Sequence, residues 1–371
     1  MTLTNKEEHS LLRQIEEFSN THVAPIRDQL ITSAIFPEEI WAAFSHSGLA
    51  GLGIPKEYGG MGASYAILSK AGYLLNRTGG VPGFTMTLMS HWLLPKLHIA
   101  DNATDKIKQD LLPALAKGHG TLCVAISEPG AGAHPKFLKT CAERDGGSFI
   151  LNGEKTFLTN APLAGYFIVL AITKQTEGKK EFSAILVPAD SDGLERTAGA
   201  KLDFLHPCPH GGIRLKDCSV PLQNLIGEEG QAFERTSLQM RALEDAVGAS
   251  AHVGCMERLL KDLANKLDSN ASQKLGEIIT QIQALKVTAL HLAALTDNAD
   301  TNIQDLMALH LGFRQHSVQC VQALKELSEL VEGPLQPETT LLARDISKLQ
   351  TIAKTAQEAR LKKIGQAYLS S

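Results

Sequence analysis

The stretch that decides the fold is Cys123-Val-Ala-Ile-Ser-Glu-Pro-Gly-Ala-Gly132. Its first half is apolar and indicates a short buried strand. Its second half indicates a turn, because proline fixes φ and the glycines let the backbone approach a ligand closely. The chain has helical periodicity before this stretch, strand periodicity for about a hundred residues after it, and helical periodicity again to the end. We therefore interpret the stretch as the opening strand of a central β domain and as one wall of a cofactor pocket.

The composition is that of an ordinary globular protein, with 371 residues, 43% of them hydrophobic and 20% charged. A net charge of -4 gives no reason to expect nucleic acid as a partner. The first residues carry no basic segment followed by an apolar one, and no apolar run reaches the roughly 18 residues of a membrane helix. We therefore expect neither a secretory signal nor a membrane partner. The six scattered cysteines favour a reduced, cytoplasmic setting.

The region 1–119 is predicted to be an α-helical domain. Its first helix begins at Asn5, where Glu8 would complete a capping box. A second helix begins near Pro37, with proline early in its first turn. The segment 53–62 contains four glycines and one proline, which predicts a shaped loop before further helical pattern at 65–116.

The region 120–230 is predicted to be a β domain. An Asn152-Gly153 dipeptide lies between two apolar runs and is a strong hairpin signal. Buried strands are predicted at 166–173 and 182–188, and a weaker strand at 213–220.

The region 231–371 is predicted to be a four-helix bundle. An apolar stripe of three-and-four spacing runs from Leu275 to Leu292. Helices near 235–265, 305–331 and 339–366 would complete the bundle. The fold class is therefore α+β and mainly α, with three domains.

Six motifs occur in order between residues 36 and 228, and each would be weak evidence by itself. They are Phe36-Pro37-x-x-x-Trp41, Pro55-x-x-Tyr58-Gly59-Gly60-x-Gly62, Leu112-Pro113-x-Leu115-Ala116-x-Gly118, Ser127-Glu128-Pro129-Gly130-Ala131-Gly132, Leu151-Asn152-Gly153-x-Lys155-x-Phe157-Leu158-Thr159-Asn160 and Val220-Pro221-x-x-Asn224-Leu225-Ile226-Gly227-Glu228. Taken together at this spacing, they resemble the acyl-CoA dehydrogenase family of flavoproteins.

The resemblance implies non-covalent FAD between the β domain and the bundle. It implies that a carboxylate removes the α-proton of an acyl thioester while the β-hydride passes to flavin N5, which yields a 2-enoyl thioester. The electrons would leave to an electron-transfer flavoprotein or a similar acceptor, in fatty acid metabolism. It also implies a homo-oligomer, either a tetramer or a dimer. Whether CoA or a carrier protein bears the acyl group is left open.

The resemblance also assigns residues to the cofactor and the substrate. The flavin ring would contact Val124, Ile126 and Ser127 on one wall and Phe157, Leu158 and Thr159 on the other, with Thr159 near N5; Thr355 and Gln357 would also touch FAD, and Gly132 and Ala133 would lie at the substrate. The family usually has tryptophan at position 157, and phenylalanine keeps the aromatic surface without the indole donor. For Ser127 and Thr159, the alternative is ordinary strand and turn chemistry.

The catalytic base is predicted from two positions: one where the family's usual glutamate is missing, and one where a glutamate is present instead. Most of the family carries its glutamate in a C-terminal segment, and that position falls on Ala353 here. A minority, resembling the isovaleryl-CoA and long-chain enzymes, carries it on an earlier helix, at the position of Glu244. The coincidence predicts Glu244 as the base. The alternative is that Glu244 is a solvated helix acid beside Asp245.

Several departures from the family keep two further functions open. The Arg-x-x-Phe-Gly segment that would reach the FAD of a neighbouring subunit falls within 263–276, which contains neither arginine nor phenylalanine. The alternatives to the dehydrogenase are a non-catalytic assembly subunit of this fold, and a flavin-dependent oxidase or monooxygenase. The run His206-Pro-Cys208-Pro-His210 holds three potential metal ligands, but no second cluster accompanies it, and we predict no metal site.

Overall fold

The computed structural model describes residues 4–369 of the chain. The helices before the sheet are α1 (Asn5–His22), α2 (Arg27–Leu30), α3 (Glu38–His46), α4 (Tyr65–Gly79), α5 (Pro82–Leu94) and α6 (Asp105–Ala116). The strands are β1 (Thr121–Ala125), β2 (Cys141–Asp145), β3 (Ser148–Thr159), β4 (Ala164–Thr176), β5 (Lys179–Pro188), β6 (Leu194–Thr197), β7 (His210–Pro221) and β8 (Leu225–Ile226). The helices after the sheet are α7 (Met240–Ala264), α8 (Ser272–Thr296), α9 (Ile303–Ser328), α10 (Pro337–Leu349) and α11 (Lys354–Leu369). The predicted fold class is confirmed.

The first helix begins at Asn5 as predicted, but its cap lies one residue earlier. Thr4 is the N-cap residue, and its backbone N–H donates to Oε2 of Glu7 at 2.7 Å. A capping box joins the cap to the third helical residue, so moving the cap moves the partner with it. The predicted partner, Glu8, instead pairs with Lys70 at 2.5 Å. The expectation for Glu8 was wrong.

The strands form one mixed sheet in the order β6-β7-β3-β2-β4-β5-β8, with β1 pairing in parallel with β4. The predicted strands at 166–173 and 182–188 are the buried parts of β4 and β5, which pair antiparallel. Apolar side chains cover both faces of the sheet, since α6 packs against one face and a separate buried cluster fills the other. The sheet is therefore a rigid platform for the residues at the ends of β1 and β3.

The predicted Asn152-Gly153 hairpin turn was wrong, because β3 continues through both residues. The turn that joins β2 to β3 lies at Gly146-Gly147. Gly153 lies where the sheet crowds the preceding loop, and a Cβ added there would lie 2.4 Å from Oγ1 of Thr140. The side-chain oxygen of Asn152 accepts a hydrogen bond of 2.8 Å from the backbone N–H of Asp217 on β7. The dipeptide therefore serves a close approach and a strand bulge, which glycine also permits.

The bundle has the predicted apolar stripe but not the predicted last helix. The buried side chains of α8 include Ile278, Ile282 and Leu292, as expected from the spacing. The predicted helix 339–366 is broken, since α10 ends at Leu349 and α11 begins at Lys354. The guanidinium of Arg314 donates to the carbonyl oxygens of Gln350 at 2.8 Å and Ile352 at 3.3 Å. These bonds satisfy carbonyl groups that the helix no longer pairs.

One segment within residues 4–369, Ser269–Thr296, is long and apolar enough to cross a membrane by length and composition alone. The sequence expectation concerned uninterrupted apolar runs, and this segment is interrupted by Lys274, Glu277 and Lys286. In the structure, this segment contains α8, which packs against α7 and α9 through its apolar face.

Candidate active site

A cavity of about 310 Å³ lies where α5, the end of β3 and the helices of the bundle meet. Of the residues predicted from the sequence to form the site, Thr159 and Glu244 line it. Met86, Met89 and Leu93 of α5 supply apolar surface. The fold thus brings a hydroxyl of the sheet and a carboxylate of α7 to one cavity.

The carboxylate of Glu244 is half-buried and lacks a compensating partner. Within residues 4–369 it accepts no hydrogen bond and forms no ion pair, although it lies near Arg241 and Asp245. Burial raises the pKa of Glu244 to about 7, an effect that Arg241 opposes and Asp245 reinforces. Desolvation disfavours the charged form of an acid. A carboxyl whose pKa lies near neutral pH is suited to take up and release a proton there.

The neighbouring carboxylate of Asp245 has the opposite environment. Its Oδ1 lies 3.0 Å from Nε of Arg241, and its Oδ2 lies 3.8 Å from Nδ1 of His310. Two adjacent acids on one helix are therefore distinguished by their partners. Glu244 lines the cavity with a half-buried side chain, and its role as the base stays a prediction.

Other polar side chains on the bundle side of the cavity have partners within the chain. His252 and His310 both line the cavity, and burial lowers the pKa of each imidazole to about 4, so both are neutral at pH 7. Nε2 of His252 lies 2.6 Å from the amide nitrogen of Gln350. Arg314 is bonded to carbonyl oxygens as described above. Glu244 thus shares the cavity with His252, Gln350 and Arg314, which have hydrogen-bond partners of their own.

The ends of β1 and β3 form what we call the sheet wall, defined as Ser127, Phe157 and Thr159. The backbone N–H of Thr156 donates to the carbonyl oxygen of Ser127 at 2.9 Å, which joins the two strand ends. The pairing of β3 with β7 is irregular just before Leu158, where Phe157 has φ 58° and a 52% exposed side chain. Such bulges redirect side chains and are frequent next to active sites.

A buried ion pair between Lys155 and Glu128 supports the sheet wall. In the sequence, these two residues occur only as parts of two different motifs. Nζ of Lys155 lies 2.9 Å from Oε1 of Glu128 and donates to the carbonyl oxygen of Ile126 at 3.0 Å. Glu128 also accepts from the backbone N–H groups of Lys139 at 2.7 Å and Thr140 at 2.9 Å. Burial lowers the pKa of Lys155 to about 8, against the opposing effect of Glu128. A lysine within an apolar strand pattern is the signal that would have identified this pair.

The other predicted contact residues lie away from the cavity. Val124 is half-buried, whereas the side chains of Ile126 and Leu158 are buried among apolar neighbours. Gly132 and Ala133 lie in the exposed turn after β1. Thr355 is exposed on α11, and Gln357 on the same helix donates to the carbonyl oxygen of Ile352 at 3.0 Å. The contacts predicted for these residues stay predictions.

The run from His206 to His210 forms the loop that enters β7. Cys208 is buried, and the ring of His210 lies near Thr159 rather than beside a second ligand cluster. Within the described residues 4–369, no group of three or more His, Cys, Asp or Glu side chains is arranged to hold a metal ion.

Comparisons with known proteins bear on this geometry. The family model described as acyl-CoA dehydrogenase, N-terminal domain matches residues 5–119, and the model described as acyl-CoA dehydrogenase, middle domain matches residues 123–218. The two matches together span more than half of the chain.

Two relatives and one solved structure extend the comparison. The L-prolyl-[peptidyl-carrier protein] dehydrogenase of Pseudomonas fluorescens is 34% identical over 230 residues, which are 62% of this chain and 60% of that protein. The mitochondrial isovaleryl-CoA dehydrogenase of Solanum tuberosum is 27% identical over 373 residues, covering 95% of this chain and 88% of that protein. The structure of butyryl-CoA dehydrogenase from Megasphaera elsdenii superposes with a TM-score of 0.84 and 21% identity, covering 100% of this chain and 99% of that one.

Proposed function

Because the chain belongs to the acyl-CoA dehydrogenase family, we propose that it catalyses the FAD-dependent α,β-dehydrogenation of an acyl thioester, with Glu244 as the base. The observation that carries this proposal is the unpaired carboxylate of Glu244, whose pKa is raised to about 7 in a cavity that Thr159 also lines. Paired acids such as Asp245 are common on helices, but an acid that is half-buried in a cavity without an ion-pair partner and has a raised pKa is a candidate for function.

The residues of the sheet wall fit a flavin ring. Thr159 brings a hydroxyl group to the cavity, and the bulge at Phe157 leaves a 52% exposed aromatic ring beside the joined strand ends. A large exposed aromatic side chain at a strand bulge indicates a surface that a flat ring would cover. Ser127, Phe157 and Thr159 would hold the ring, and FAD, when bound, supplies the acceptor of a hydride.

The reaction divides its proton and its hydride between two sides of the cavity. Glu244 would remove the proton of the α-carbon, and the β-carbon would lose a hydride with its two electrons to the acceptor that FAD supplies when bound, which leaves a carbon–carbon double bond. The apolar side chains of α5 exclude water, which keeps the pKa of Glu244 high enough for it to compete for a weakly acidic proton. After the reaction, Glu244 holds the proton and releases it at neutral pH.

The proposal also covers the electron acceptor, the oligomeric state and the cellular compartment. Reduced cofactor would pass its electrons to an electron-transfer flavoprotein or a similar acceptor. The chain would act as a homo-oligomer, in keeping with the exposed α11, whose residues are not buried within one chain. The six free cysteines fit a reduced, cytoplasmic compartment. The proposed substrate class includes acyl groups on CoA and acyl groups on a carrier protein, because the residues that line the cavity favour neither carrier.

The experiment that tests the proposal is the visible absorption spectrum of the purified protein, before and after anaerobic addition of acyl thioesters. The panel contains acyl-CoAs of increasing length and an acyl group on a carrier protein. A flavin spectrum that bleaches with one of them would support the proposal and identify the acyl class. A flavin that bleaches with none of them would contradict it. Rapid reoxidation of the reduced flavin by air would favour oxidase or monooxygenase chemistry instead.

A second candidate, a non-catalytic assembly subunit, is favoured by one observation. The segment 263–276 has no arginine or phenylalanine with which to reach the FAD of a neighbouring subunit, and its two lysines are engaged within the chain. Lys266 donates to the carbonyl oxygen of Pro334 at 2.8 Å, and Lys274 pairs with Glu326 at 2.7 Å. A purified protein that shows no flavin absorbance and does not bind added FAD would support this candidate and exclude the dehydrogenase.

A further inference from the structure

Thr159 and His210 form a cross-strand pair at the edge of the cavity. They are directly opposed in the antiparallel pairing of β3 with β7, which places their side chains on the same face of the sheet. Oγ1 of Thr159 lies 3.3 Å from Nε2 of His210. Thr159, the one residue of the sheet wall that lines the cavity, is thus hydrogen-bonded to an imidazole that does not line it.

The second ring nitrogen of His210 determines which of these two atoms donates. Nδ1 lies 3.0 Å from the carbonyl oxygen of Cys208. A carbonyl oxygen only accepts, so Nδ1 carries a hydrogen. Burial lowers the pKa of His210 below its ordinary value, with the Cys208 hydrogen bond opposing and His206 reinforcing this effect, so the ring is neutral at pH 7. A neutral ring with hydrogen on Nδ1 has a bare Nε2, and the hydroxyl of Thr159 must donate to it.

The loop that carries Cys208 is held at several points. The backbone N–H of Cys208 donates to the carbonyl oxygen of Leu205, and that of Asn160 donates to the carbonyl oxygen of Pro209, both at 2.8 Å. The backbone N–H of Leu205 in turn donates to the buried Asp345 at 2.9 Å. The carbonyl group that orients His210 is therefore fixed by the sheet and by the bundle together.

We propose that His210 is a positioning residue, which draws the hydroxyl hydrogen of Thr159 away from the cavity so that Thr159 presents only an acceptor there. The inference rests on the proposed function, because the group that Thr159 would meet is flavin N5. An acceptor at this position favours a ring nitrogen that carries hydrogen, as N5 does when the flavin is reduced, over one that presents a lone pair. The protein therefore binds reduced flavin more tightly, relative to oxidised flavin, than it would without His210.

The test compares two variants that separate the ring acceptor from the loop contact. His210→Asn keeps an amide N–H at the position of Nδ1, to donate to Cys208, and removes the acceptor at Nε2. His210→Gln places an amide oxygen near the position of Nε2 and restores an acceptor. The measurement is the midpoint potential of the bound flavin, determined by spectral titration against reference dyes. We expect His210→Asn to change the ratio of affinities for reduced and oxidised flavin by about tenfold, a fall of about 30 mV for the two-electron couple.

We expect His210→Gln to keep the potential close to that of the unaltered protein. In a Thr159→Val background, His210→Asn should leave the potential unchanged, because the hydroxyl through which His210 acts is gone. An unchanged potential in His210→Asn with flavin bound, or a fall that persists in the Thr159→Val background, would overturn the inference.

A second measurement is independent of flavin. Nitrogen-15 NMR of the imidazole side chains in the flavin-free protein, assigned with the His210→Asn spectrum, should show a neutral ring of His210 with hydrogen on Nδ1 at pH 7. Hydrogen on Nε2 would overturn the inference even if the dehydrogenase reaction is found. Failure to bind FAD, together with hydrogen on Nδ1, would remove the proposed function and retain the assigned direction of the hydrogen bond.

Discussion

The two sides of the cavity differ in how their polar groups are paired. On the sheet wall, the supporting carboxylate of Glu128 has Lys155 and two backbone N–H groups as partners, and Thr159 is bonded to His210. On the bundle side, Glu244 has none of these within residues 4–369 and its pKa is raised to about 7. The sheet wall is thus built for fixed geometry, whereas the bundle side retains one group whose protonation can change.

The difference has a physical cause. A buried charge that is paired and hydrogen-bonded contributes a rigid shape, and removing one partner is costly. A partly buried acid without a partner lowers stability, and such groups persist where the function uses them. Four substitution or pH experiments test the contrast, in order of decreasing effect.

Replacing Glu244 tests the bundle side most directly. If the unpaired carboxylate is the base, Glu244→Gln should lower turnover by about 10²- to 10⁴-fold, because that is the usual contribution of a positioned proton acceptor. Bound flavin, measured by absorbance, should remain. The control is Glu234→Gln, an exposed acid shortly before α7, which should retain turnover. Equal turnover in both variants would show that the two acids do not differ in function.

Breaking the buried pair tests the sheet wall. Lys155→Met leaves Glu128 without its cation and should lower the free energy of unfolding by about 3–5 kcal/mol, measured by urea denaturation. The double variant Glu128→Gln with Lys155→Met removes both charges and should recover part of the loss. Lys216→Met, an exposed lysine on β7, is the matched control and should change little. A loss no larger than that of Lys216→Met would mean that the pair does not support the wall.

The same Glu244→Gln variant should be more stable than the unaltered protein at pH 8. The folded pKa of Glu244, about 7, lies above its ordinary value of 4.5, so the folded state binds the proton more tightly. Stability therefore falls as pH rises between these values, and the full cost is present above pH 7. Glutamine avoids it, and at about 1.4 kcal/mol per pKa unit we expect a gain of about 3 kcal/mol at pH 8 that disappears near pH 4. Thermal unfolding of both proteins across this range measures it; a difference independent of pH would contradict the raised pKa.

The pH dependence of turnover should report the same group with a smaller effect. The base works in its deprotonated form, so the rate should fall as pH falls through about 7. For a single group with this pKa, the rate at pH 6 should be about tenfold below that at pH 8. The measurement is kcat/KM against pH, because this ratio reports the pKa values of the substrate-free enzyme. A rate that stays level down to pH 5 would assign the proton transfer to a group with an ordinary carboxyl pKa.

Sequence patterns predicted helices and strands correctly where the burial of one face determined the spacing of the apolar residues. The periodicities of α8, β4 and β5 come from the face that each element buries, and the structure confirms them. The Asn152-Gly153 turn failed because a dipeptide favourable for a turn is also favourable at a bulge, and the contact with Thr140 decided between the two. The break before α11 was missed because it depends on Arg314, a residue of another helix.

The sequence by itself determined the order of helical and β regions, the family and the candidate base. These follow from short-range periodicity and from motifs at set spacing, including the presence of Glu244 where position 353 holds alanine. Only the tertiary structure decided that Glu244 is unpaired while Asp245 is paired, and that His210 stands behind Thr159. Burial and pairing arise between residues distant in the chain, and it is burial and pairing that set a pKa and the direction of a hydrogen bond.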